Sequence, residues 1–154
     1  MSPQATSIKT GFAKLLCVGL LGVAIAAAYA IAPAASSAAG TSSLKPSTKH
    51  LACGQQQVGA GAKDCAHVFF KNTTSSPVTI SAIGIENSQS SFGLDGIGFS
   101  LQCRPGAIVP AGESCGVNAF FVPAHTGRFS GAKIFATDAT SGVPARVALT
   151  GIGV

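Results

Sequence analysis

Residues 110–123 read PAGESCGVNAFFVP, and apolar and polar positions alternate along them. Cys115, Val117, Ala119 and Phe121 fall on one side of a period-two pattern; Gly116, Asn118 and Phe120 fall on the other. Such alternation, entered through a Pro-Ala-Gly-Glu turn and ended by Pro123, predicts a strand with one buried face. Weaker copies of the signal run along the chain. Residues 56–58 predict a first short strand before the glycine-rich 59–61. Residues 66–72 predict a stronger one, with Ala66, Val68 and Phe70 on one face, and 72–77 predict a turn. Val78 and Ile80 mark the next strand, over 78–85, and 86–91 is a polar loop. The run 92–101 is broken by Gly93, Gly96 and Gly98 and predicts one or two short strands around a bend. After a turn at 124–127, Ala132, Ile134 and Ala136 mark another strand; 138–144 turns the chain, and Val147 and Leu149 mark the last strand. No segment carries a sustained helical stripe. About seven short strands separated by turn clusters predict an all-β sandwich.

The N-terminus has a different pattern. Residues 15–32 carry no charge and follow Lys9 and Lys14; small-residue A-x-A-like exits stand at 28–30, 36–38 and 37–39. This arrangement predicts a signal peptide within 1–39, or else an uncleaved hydrophobic anchor helix over 15–32, whose 18 residues are near the lower limit for a bilayer span. Either way the rest of the chain is expected in the periplasm or outside the cell, with the inner membrane touched only through that segment. Residues 33–50 are rich in Ala, Ser, Thr and Pro, so 40–50 is expected as a flexible linker and 51–154 as the folded domain.

Composition narrows the function. Charged residues are 10 % of the chain, against roughly 25 % in ordinary soluble domains. From Gly40 onward, eight basic and five acidic residues leave a net +3 without a cluster, which argues against a nucleic-acid partner. His50, His67 and His125 lie in unrelated segments, and Gly112-Glu113-Ser114-Cys115-Gly116 has the wrong spacing for a nucleophile elbow. With no catalytic constellation, the chain is not expected to be an enzyme, and no cofactor is expected. Asn72-Thr73-Thr74 has the spelling of a glycosylation acceptor, but Asn suits the strand-ending turn.

Beyond Cys17, the four cysteines are Cys53, Cys65, Cys103 and Cys115. An even number in a small exported domain points to disulfides, in one of three connectivities. Proximity favours Cys53 with Cys65, 12 positions apart. The flanking His50 and His67 would also permit a two-Cys, two-His metal site, which the oxidising compartment disfavours; no metal is expected.

An ordered series of motifs covers residues 66–153: VFFKNTTSSPVTISAIGI at 68–85, Phe92, Cys103, PAGESCGVNAFFVPAHTGRFSGAKIFATD at 110–138 and VALTGIGV at 147–154. The series resembles the bacterial choice-of-anchor D domain, related to the immunoglobulin-like modules of abnormal-spindle, Hydin and major-sperm-protein type. Residues before 66 depart from that pattern. The resemblance implies an immunoglobulin-like β-sandwich used as a structural or protein-binding module, and it implies a pairing of Cys103 with Cys115. An exported, non-catalytic module is therefore expected, binding an envelope or extracellular protein. The alternatives are a single-domain assembly factor akin to pilus chaperones, or a small metal-binding envelope protein. Phe69 and Phe120 are the expected interface residues, because both fall opposite the core positions of their strands.

Overall fold

The computed structural model describes residues 40–87 and 91–154; the expected signal or anchor segment lies outside them. Ten strands follow in order: β1 Leu44–Pro46, β2 His50–Gln56, β3 Lys63–Asn72, β4 Val78–Glu86, β5 Phe92–Asp95, β6 Ile108–Val109, β7 Ser114–Phe121, β8 Gly127–Phe129, β9 Lys133–Asp138 and β10 Ala145–Gly153. Seven have four or more residues; β1, β6 and β8 are short additions. Among the described residues there is no helix.

The strands form two sheets. One is ordered β1-β3-β7-β5; the other is β2-β10-β9-β4-β6, with β8 also on β10. Alternation supplies the core between them. Val68 and Phe70 of β3, and Cys115, Val117, Ala119 and Phe121 of β7, meet Ile80, Ile134, Ala136, Val147 and Leu149 of the other sheet. Ala66 stays exposed beside a register break between Asp64 and Ala66. β7 is interior in its sheet, between β3 and β5.

The expected flexible linker over 40–50 does not hold from Leu44 onward. Leu44 is buried at 3 % exposure and β1 pairs antiparallel with β3. β2 begins at His50 and runs parallel to β10, and the chain turns only after Gln56, where a first strand was expected. The reason is that a strand can be held by ladder hydrogen bonds to a neighbour without an apolar pattern of its own.

Two buried polar side chains organise the turns. Asn72, fully buried at the end of β3, donates through Nδ2 to the carbonyls of Ser76 (2.8 Å), Val109 (3.0 Å) and Pro110 (3.2 Å). Its Oδ1 accepts from the Thr74 amide (2.9 Å) and hydroxyl (2.8 Å). The acceptor spelling at 72–74 is thus a structural knot, its amide nitrogen sealed inside the fold. Asp138, also fully buried, accepts from the Ser43 and Ser141 hydroxyls and from the amides of Thr140 and Ser141. Through Ser43 it ties the entering chain to the far end of β9. Burial alone would raise its pKa, but these four donors outweigh it and hold the carboxyl at about 2, below the ordinary 3.8.

Asn72→Ala is expected to lower the unfolding free energy by about 2–4 kcal/mol, because several backbone groups lose their partner at once; a urea midpoint unchanged from the parent would contradict this role. The depressed Asp138 pKa contributes stability that is present above about pH 4 and lost as pH falls through about 2. Asp138→Asn should therefore be less stable than the parent at pH 7, by about 2 kcal/mol, and the gap should close by about pH 2. A gap independent of pH would show that the charge is not the source.

Candidate functional site

The outer face of the β1-β3-β7-β5 sheet gathers the conspicuous side chains. Cross-strand register places Phe69 of β3 opposite Gly116 of β7, His67 opposite Asn118, and Gly93 of β5 opposite Phe120. Glycines seat the aromatics here. A Cβ on Gly116 would lie 2.2 Å from the Phe99 ring, and one on Gly93 would lie 2.1 Å from the Phe120 ring. Outward glycines in a strand mark such close approaches.

Phe99 comes from the 96–106 loop, and this loop is held on β7. The Cys103 amide donates to the Gly116 carbonyl and the Gly116 amide to the Leu101 carbonyl, both at 2.9 Å. Cys103 and Cys115 stand at disulfide distance, with Cα atoms 4.9 Å apart. Phe99 then packs edge-on against both His67 (5.0 Å between centroids) and Phe69 (5.6 Å). As a result β7 is covered on both sides: Gly116 and Asn118 are buried as well as the inward residues.

The two expected interface residues differ. Phe69 remains 41 % exposed, although Phe99 covers one edge of it. Phe120 is half-buried over Gly93. Charge is segregated around them. Lys45 and Lys71 face each other across β1 and β3 at one end. Asp64 and Asp95 lie towards the other end; Asp64 accepts from Asn118 Nδ2 (3.2 Å), while the buried Asn118 Oδ1 accepts no hydrogen bond. Pro46, Ser47 and Ser114 complete a shallow depression of about 290 Å³ beside Phe69 and the lysines.

The other candidates disperse. Cys53 and Cys65 stand at disulfide distance, Cα atoms 4.4 Å apart, and join β2 of one sheet to β3 of the other. His50 is engaged with the Thr150 hydroxyl (3.0 Å) and His67 with the Phe99 ring, so neither joins the cysteines around a metal. Among the described residues no three His, Cys, Asp or Glu side chains are grouped to hold an ion. His125 contacts the Thr126 carbonyl and stacks on Phe129, away from any nucleophile. The arrangement suits contact with a surface, through an aromatic centre between a basic and an acidic end. The seating of Phe99 on Gly116 was not legible in the strand pattern; the outward glycine is the one signal that pointed to it.

No family model matches the chain, and no curated protein matches it. Solved structures do. The chain is similar to the seventh PapD-like (ASH) domain of human CEP192, with 12 % identity, a TM-score of 0.50, and coverage of 84 % of this chain and 96 % of that one. It is similar to a protein of unknown function from Porphyromonas gingivalis (15 %, TM-score 0.51, 77 % and 50 %). It is also similar to the VesB protease of Vibrio cholerae (14 %, TM-score 0.50, 71 % and 32 %). The match thus spans half of the second chain and about a third of the third. At such identities the likeness shows the fold alone: an immunoglobulin-like sandwich of the PapD-like kind.

Gly116→Ala should force Phe99 off its seat and destabilise the domain by roughly 1–3 kcal/mol, read as a lowered urea midpoint. Unaltered stability would show that the 96–106 loop does not depend on this contact.

Proposed function

We propose that the chain is an exported, non-catalytic immunoglobulin-like module of choice-of-anchor D type that binds another protein of the envelope or the extracellular space. The observation that carries this reading is Phe69, a large apolar side chain 41 % exposed at the centre of a sheet face. Phe99 lies alongside and covers only one edge of it. Aromatic anchors flanked by charges of both signs are typical of protein interfaces, where a few such residues dominate binding. The two cysteine pairs at disulfide distance support an oxidising compartment. The apolar run at 15–32 supports export, with or without retention in the inner membrane. The PapD-like fold supports a binding or assembly role and brings no catalytic residues with it.

A photo-crosslinking residue placed at Phe69 and at Phe120 in cells should capture one exported protein from both positions. The same residue at exposed Val154, which follows β10 in the other sheet, should not. Phe69→Ser should reduce capture from position 120 by about tenfold or more, with the urea midpoint preserved. Equal capture from all three positions, or none from 69 and 120, would overturn the reading.

A further inference from the structure

We propose that the mouth of the sandwich between β4 and β5 takes up an extended, alternately apolar segment of a partner protein, added as a strand along the free edge of β4. This surface is separate from the outer face that carries Phe69.

β4 is paired along one side by β9 from Ile80 to Glu86. Along its other side it is paired only at Val78 and Thr79, by β6, and at Ile80, by Gly106 and Ala107. Residues 82–86 therefore present unpaired backbone groups on that edge among the described residues. β5 is likewise an outermost strand, paired only with β7. The two open edges belong to different sheets and flank one cleft.

The cleft is lined by core-type side chains. Ile83 and Ile85 stand opposite the buried Ala136 and Ile134, so they point inward; Phe92 and Leu94 stand opposite the buried Phe121 and Ala119 and also point inward. Yet Ile83, Ile85 and Leu94 are only partly buried, because no strand closes the sandwich here. The opening holds about 440 Å³. Its inward residues recur at every second position, which is the spacing of side chains on an incoming strand. Backbone pairing along 82–86, with alternate side chains filling the cleft, is the chemistry of strand addition.

The remaining edges carry guards that this one lacks. β1 has three residues, including Lys45 and Pro46. β2 contains Gly54 at a φ of 70° and faces a register break in its partner β10, and it is tied back through Cys53. β6 has two residues. Residues 82–86 read AIGIE, without Pro or Lys; the register break of β4 falls just before them, between Ile80 and Ala82. Natural sheets blunt edges of that kind unless they are paired. Asp95 and Arg104 both line the cleft, so its charges are of both signs and its apolar side chains carry the recognition.

Two measurements on the exported chain test this. In the purified chain, the amides of residues 82–86 that face away from β9 should exchange at least about a hundredfold faster than those of residues 134–136. Protection of the whole stretch would overturn the proposal, since the edge would already be covered. In cells, a photo-crosslinking residue at Leu94 or at Ile85 should reach the same short, extended stretch of one partner protein. Ile83→Lys, which places a charge in the cleft, should reduce capture from position 94 at least about tenfold; Leu94→Lys should reduce capture from position 85 in the same direction if the isoleucine variant fails to fold. Crosslinks to a second copy of this chain, to lipid, or to scattered sites on many proteins would overturn it. Capture from position 69 is read in the same variants, so failure here and failure of the outer-face reading are separable.

Discussion

β7 is packed on both of its faces, and the rest of the domain depends on that double covering. On the inner side, Cys115, Val117, Ala119 and Phe121 have exposures of 0–3 % and join the two sheets' core. On the outer side, the 96–106 loop lies across Gly116, held by two backbone hydrogen bonds and by the Cys103 pairing. A loop closed over about a dozen residues contributes on the order of 3 kcal/mol in the chain-entropy model, a large share of the net stability of a small domain. Asn72 meets the turn that enters β7: its backbone amide donates to the Glu113 carbonyl and its carbonyl accepts from the Gly112 amide. Strand, loop and turn are thereby fixed together, and the aromatic side chains of the outer face inherit their positions from this arrangement.

The same construction sets the outer face on which the proposed binding role rests. Phe99 is delivered to the outer face by the loop that the cysteine pair holds, and it positions His67 and Phe69 by edge contacts. The polar groups that are well satisfied, Asn72 and Asp138, serve turns and the entering chain. Stability and surface chemistry are therefore divided. Buried polar atoms lock connections, while aromatic and charged groups stay exposed on the outer face. Cys53 and Cys65 join the two sheets on one side; on the other, beyond the two-residue β6, β4 and β5 do not pair with each other among the described residues.

Much of the fold was legible because its code is short-range. The alternation at 114–121, the turn chemistry of Asn72, and the Ala132-Ile134-Ala136 stripe each specify local structure and each name the buried face. The two cysteine pairings, one read from proximity and one implied by the resemblance, are the ones found at disulfide distance. The edge strands were not legible. β1 and β2 are held by backbone pairing with distant strands, and Leu44 is the single apolar contact that marks the first of them. The site was legible only in outline. Phe69 and Phe120 could be placed opposite the core, but the partial shelter of Phe120 over Gly93 depends on a neighbour 27 residues away in sequence, which periodicity does not encode. The open mouth between β4 and β5 is a property of how two sheets terminate, and no single segment records it.

The central proposal, an exported domain stapled through both cysteine pairs, is tested most directly by thiol labelling and intact-mass measurement on unreduced protein recovered from cells. The account predicts that Cys53, Cys65, Cys103 and Cys115 are all refractory until a reductant is added, and that fragments spanning 53 with 65 and 103 with 115 remain linked. Two or more reactive thiols in the unreduced protein, or linkage in any other connectivity, would contradict it.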